Sequence, residues 1–134
     1  MQAKIEKYHL TAMVDSAGFE HFHTGDPPDY RAVKIMKLHG LDISHQRARL
    51  FRVDDFSTFD RIYVMDKWNY ADVQAVATNK DQIRKVDFVL NAINPKLNKP
   101  VPDPYSGGLN DFETTYRLLD EATEYIAKDL KSGG

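Results

Sequence analysis

Asp103 is the residue in this sequence best placed to do chemistry. It stands in Val101-Pro102-Asp103-Pro104-Tyr105, with Gly107-Gly108 just beyond. Proline on either side fixes φ and removes an N–H, so the carboxyl group is held at a set angle. Tyr105 can supply an aromatic wall, and the glycines let the backbone come close to a ligand. A rigid carboxylic acid beside an aromatic suits proton transfer, because partial desolvation lifts its pKa towards working pH. The same residues also fit a plain Pro-Asp-Pro surface turn. The other candidates carry less. His21 and His23 stand two apart and can ligate zinc from an extended segment, but no third or fourth ligand lies at metal-site spacing. His45 reads as an imidazole holding backbone groups and alone supports no mechanism. Arg47 and Arg49 can bind an anion, although arginines in such a segment are usually solvated or paired. Trp68 reads as packing or rim surface. No glycine-rich loop follows a strand and opens a helix, and no Gly-x-Ser-x-Gly elbow occurs. The sequence therefore points to neither a phosphate cradle nor a serine hydrolase.

The elements that must position these residues follow from periodicity. Met1, Ile5 and Tyr8 recur at helical spacing, and no Ser, Thr, Asp or Asn cap precedes them. Met13–Gly18 reads as a short strand running into small and polar residues, followed by a loop through Gly25. Asp26-Pro27-Pro28-Asp29 opens a helix whose buried face is Ala32, Ile35, Met36 and Leu38, with Gly40 as its stop. Residues 54–59 form a short helical turn. Arg61–Met65 is the clearest strand, and Asp66 caps the helix after it, from about Lys67 to Ala77, which buries Val73 and Ala77. Lys85–Leu90 is a further strand, followed by a loop rich in Asn, Pro and Lys. Asn110 with Glu113 makes an N-cap pattern for a long last helix whose face is Phe112, Tyr116, Leu119, Ile126 and Leu130. Strands alternating with helices imply a parallel α/β sheet covered on both faces. Ligands bind such sheets beyond the carboxyl ends of the strands, where Asp15-Ser16, Asp66 and Asp103 fall.

The 134 residues suit one domain, and no repeat, linker or low-complexity tract divides them. Lys+Arg number 18 and Asp+Glu 20, a formal net charge of −2, which gives no basic footprint for nucleic acid. No apolar run approaches the ~18 residues of a membrane span, and the charged start resembles no signal peptide. A soluble, cytoplasmic globular protein is the default expectation. With no cysteine, the chain holds no disulfide, thiolate metal site or cysteine nucleophile.

Taken in order, several segments resemble the low-molecular-weight protein tyrosine phosphatases across nearly the whole chain. They are Val14–Gly18, Gly25–Ala32, His39–Arg49, Asp55-Phe56, Phe59-Asp60, Met65-Asp66 with Asn69, Val101–Tyr105, Gly107-Gly108 and Asp111-Phe112-Glu113. The resemblance implies a Rossmann-like (flavodoxin-like), three-layer α/β fold and hydrolysis of phosphotyrosine without metal or organic cofactor. In that family a cysteine in a Cys-x5-Arg loop attacks phosphorus, and an aspartate in an Asp-Pro-Tyr segment protonates the leaving phenolate and then helps activate water. By that resemblance Asp103 is the general acid/base, while Tyr105 and Phe22 form the substrate-binding rim. Ser16 and His45 match residues that hold the shape of the phosphate loop, and Asp66 matches a supporting carboxylate. The substrate would be a phosphotyrosine-containing protein or a small aryl phosphate.

This sequence departs from the family pattern at Phe22, where many members carry tryptophan, and at Ser106, where many carry a second tyrosine. The larger departure is at the front, where the family's first central strand and cysteine loop have no counterpart. The resemblance therefore implies that Met1 falls inside a longer parent sequence. It also implies that the chain as written is inactive and that its uncovered sheet edges favour self-association. A non-catalytic, phosphatase-like binding module is the alternative expectation.

Overall fold

Ile62-Tyr63-Val64 and Val86-Asp87-Phe88 are rich in β-branched and aromatic residues, and they form the parallel pair around which the molecule is built. The computed structural model describes residues 1–19, 24–105 and 107–133. Along the chain the elements are α1 (Gln2–Lys7), α2 (Tyr30–Leu38), α3 (Asp55–Thr58), β1 (Ile62–Val64), α4 (Lys67–Val76), α5 (Lys80–Ile83), β2 (Val86–Phe88), a 3₁₀ turn (Val89–Ala92) and α6 (Leu109–Lys131). Register pairs Ile62 with Val86, Tyr63 with Asp87 and Val64 with Phe88. The crossover between the strands runs through α4 and α5, as a parallel pairing requires.

Successive side chains of a strand point to opposite faces, and the core divides accordingly. Ile62 and Val64 pack with Phe56, Val73 and Phe88 on one side. Tyr63 packs on the other side against Val89, Leu90, Val101, Ala122 and Ile126, where the 3₁₀ turn meets α6. The result is an α/β fold with a parallel sheet between helical layers. Among the described residues no helix is long and apolar enough to cross a membrane.

Several expectations from sequence are corrected. Met13–Gly18 is not a strand: among the described residues only Gly18 is paired, donating its N–H to the Arg49 carbonyl and accepting from Phe51 N, in a single parallel bridge with Leu50. Propensity supplies an extended segment, but a ladder needs a neighbour's N–H and C=O groups. Met13 is 71% exposed. On α2 only Ile35 is buried, and Leu38 faces solvent. The Asp29 side chain caps that helix by accepting Arg31 N at 2.8 Å, so both prolines lie before the cap. Gly40 ends it at φ +79°, a left-handed backbone suited to glycine.

Beyond β2 the expected strand ends early because Asn91 gathers the chain into a turn. Its Nδ2 donates to Asp87 Oδ1 at 2.7 Å and to Asn98 Oδ1 at 2.8 Å, and its Oδ1 accepts Asn98 N at 2.8 Å. The long helix starts one residue before Asn110, and Gly108 is its cap residue. Asp111 Oδ2 accepts Gly108 N there, and Glu113 turns elsewhere, to His39 and Arg117.

Candidate functional site

The Asp103 segment leaves the core at Val101, which is buried and donates its N–H to the Met65 carbonyl at 2.8 Å. That bond sets the root of the loop beside the carboxyl end of β1. Thr115 Oγ1 on α6 donates to the Pro102 carbonyl at 3.2 Å. Asp103 Oδ1 then accepts Tyr105 N at 2.9 Å, a side-chain-to-backbone turn that ties acid and aromatic together. Gly107 N closes back on the Pro104 carbonyl at 2.9 Å. A Cβ on Gly107 would run into the Asp111 side chain, which would have to shift to admit it. Both Asp103 and Tyr105 are exposed, so the partial desolvation expected for the acid is absent.

One side chain braces this loop from α2. Arg31 Nη2 donates to the Tyr105 carbonyl and Nη1 to the Gly107 carbonyl, each at 2.6 Å. Asp29 grips the same guanidinium from behind, with Oδ1 accepting Nε at 3.1 Å and Oδ2 accepting Nη2 at 3.0 Å. The guanidinium carbon lies 4.6 Å from the Phe112 ring centre and 5.8 Å from that of Tyr105. Hydrogen bonds from Arg31 hold the Asp29 carboxyl below its ordinary range, and Asp29 in turn raises the Arg31 guanidinium. The sequence does not single out Arg31 for chemistry. The signal available was only Asp29-x-Arg31 at a helix start, since its main-chain partners lie more than 70 residues downstream.

The second group lies around Ser16 and His45. Ser16 is exposed and donates its N–H to Asp15 Oδ1 at 2.8 Å, while Asp15 Oδ2 accepts Arg49 Nε at 3.0 Å. Arg49 also forks onto nearly buried Asp55, at 3.0 and 3.1 Å, and Arg52 N donates to that carboxylate at 2.8 Å. Burial pushes the Asp55 carboxyl up, but these donors prevail and hold it below its ordinary value. His45 is exposed, and Arg47 folds onto the carbonyls of Ser44 and Gln46. Ala48 donates to the Asp26 carbonyl and accepts from Gly25 N, which brings the His45 segment beside the entry to α2. Asp66 accepts Asn69 N at 2.8 Å as the cap of α4.

The sequence-predicted residues thus fall into two groups. Asp103 and Tyr105 share one braced loop rooted beside the strand that leads to Asp66. Ser16 and His45 sit on segments joined through Arg49 and Gly18. The N-terminus of α2 lies between the groups, reaching one through Asp26 and the other through Arg31. Phe22, with His21 and His23, and Ser106 lie outside the described residues. Surface grooves run between α1 and α6 and beside Asp87 and Asn91, and neither is lined by Asp103 or Tyr105.

The sequence of residues 1–133 matches the family model described as low molecular weight phosphotyrosine protein phosphatase. The chain is 39% identical over 112 residues to the low molecular weight phosphotyrosine protein phosphatase of Gallus gallus, covering 83% of this chain and 70% of that protein. It is 38% identical over 104 residues to the Homo sapiens protein of the same name, covering 78% of this chain and 65% of the relative. Its fold matches a crystal structure of a protein tyrosine phosphatase from Entamoeba histolytica with a TM-score of 0.89 at 28% identity, over 98% of this chain and 85% of that one.

Proposed function

The chain belongs to the low molecular weight phosphotyrosine protein phosphatase family, and from that premise we propose that its Asp103 loop is the acid and rim of a phosphotyrosine site within one domain, residues 1–134. The observation that carries this reading is the pairing of an exposed carboxyl group and an exposed tyrosine ring on one hydrogen-bonded, cation-braced loop. In the first half-reaction a family thiolate attacks phosphorus, the aryl P–O bond breaks, and Asp103 gives its proton to the departing phenolate oxygen. In the second, the Asp103 carboxylate takes a proton from water as that water attacks the phosphocysteine, releasing phosphate and the thiolate. Tyr105, together with Phe22, stacks on the substrate ring. Ser16 and His45 support the phosphate loop, and Asp66 supports the site from the end of β1. The substrate is a phosphotyrosine side chain or a small aryl phosphate.

The chain contains no cysteine, so the nucleophile of this scheme is not among its residues. General acid catalysis contributes about 10²–10⁴-fold, whereas phosphate-monoester hydrolysis needs accelerations of up to ~10²¹. Asp103 alone falls far short of that, and the 134-residue chain is inactive by itself. The test joins a Cys-x5-Arg loop segment from a family member ahead of Met1. The unmodified chain, verified by intact mass, leaves aryl phosphate unchanged, the chimaera turns it over, and Asp103→Asn in the chimaera removes most of that turnover. Turnover by the unmodified chain, or a chimaera indifferent to Asp103→Asn, overturns the reading.

A further inference from the structure

We propose that Arg31 is a positioning residue for the Asp103–Tyr105 loop, a role that rests on reading Asp103 as the acid. Tyr105 is held at both of its backbone polar groups. Its N–H donates to Asp103 Oδ1 at 2.9 Å, and its carbonyl accepts Arg31 Nη2 at 2.6 Å. The direction of the Asp103 carboxyl group therefore depends on the orientation of the Tyr105 backbone, which Arg31 sets. The second prong, Nη1 on the Gly107 carbonyl at 2.6 Å, stops the loop from rotating about the first.

The brace is rigid because the guanidinium has little freedom of its own. Asp29 accepts from two of its nitrogens, and Asp29 is fixed as the cap of α2 through Arg31 N. The ring of Phe112, a buried residue of α6, lies beneath the guanidinium. The side chain retains only 20% of its exposure. A planar fork with five donors is needed to meet one carboxylate and two carbonyls at once. A lysine ammonium is a compact head on a flexible stem and cannot span them. Arg31 touches neither the Asp103 carboxyl group nor any reacting atom, so its effect on the acid is indirect.

The experiment uses the 134-residue chain, labelled with nitrogen-15, and needs no turnover. The Tyr105 amide proton shifts as the Asp103 carboxyl titrates, because that carboxyl is its acceptor, and Asp103→Asn supplies the reference in which this response is gone. In Arg31→Gln and in Arg31→Lys the amplitude of the response falls by roughly half or more, and exchange of the Tyr105 and Gly107 amides with solvent quickens about ten-fold. Amides of α4 and β2 keep their wild-type exchange. Loss of general stability would quicken exchange everywhere and would leave the titration amplitude of the folded loop intact. If Arg31→Gln fails to fold, Arg31→Lys decides, since it keeps the charge and the stem. A wild-type response in Arg31→Lys, or a Tyr105 amide indifferent to Asp103→Asn in the parent chain, overturns the proposal. Failure of Asp103 as the acid would instead appear only in the chimaera's turnover, so the two readings fail separately.

Discussion

Asp55 stays charged although it is almost buried, because the Arg49 guanidinium and the Arg52 amide converge on its carboxylate. Its folded-state pKa is depressed, so the stability it contributes is fully present above the ordinary carboxylate value of 3.8 and is lost as pH falls below that value through the lower folded-state one. Asp55→Asn keeps the shape but removes the charge facing Arg49, and the loss of a charge-assisted pair predicts destabilisation of about 1–3 kcal/mol. Denaturant titration at neutral pH checks this, and the gap between variant and parent closes in acid. The Asp103–Tyr105 turn is legible in the sequence because what forms it is local: two prolines, a tyrosine and glycines within a few positions. Arg31 and Arg49 are not, because their meaning comes from partners 74 and 34 residues away. Nothing in a linear reading distinguishes such arginines from solvated ones.

At the scale of elements, α1 buries one residue, Ile5, and is tied to α6 through charge. Lys4 Nζ lies 2.8 Å from Asp120 and 3.0 Å from Glu124. The Tyr8 hydroxyl also donates to Glu124. Tyr8 first and Lys4 second lower the Glu124 carboxyl from 4.5 to about 2. A depressed carboxylate stabilises docking fully above its unfolded value and ceases to do so as pH drops through the folded one. Docking of α1 therefore weakens as pH falls from 4.5 towards about 2. In Glu124→Gln the α1 amides exchange rapidly already at neutral pH, and acid adds little further. Exchange in α1 that is the same in parent and variant would contradict the clamp. Helices were legible from their apolar stripes, as in α6, where Phe112 and Ile126 are buried as the spacing predicts. Stripes do not say how much of a face finds a partner, which is why Leu38 stands exposed. The Met13–Gly18 segment fails as a strand for the related reason that pairing is a property of two segments.

For the whole molecule, β1 has β2 as its partner and no other strand on its far side among the described residues. Unpaired edges invite pairing with another chain. The weight-average mass in sedimentation is predicted to rise with concentration, whereas a monomer at every concentration with one cooperative melt would contradict this. The two-layer core and the family were both legible because ordered motifs span the chain, and the match over residues 1–133 reflects that order. If Asp103 protonates the leaving group, its loss is felt most by the substrate whose leaving group is the strongest base. The most direct test compares kcat/KM for phenyl and 2,4-dinitrophenyl phosphate in the chimaera, with and without Asp103→Asn. Phenolate is a strong base and needs the proton, so the variant loses about 10²–10⁴-fold on phenyl phosphate and little on the dinitrophenyl ester. Equal losses on both substrates, or none on either, would contradict the assignment.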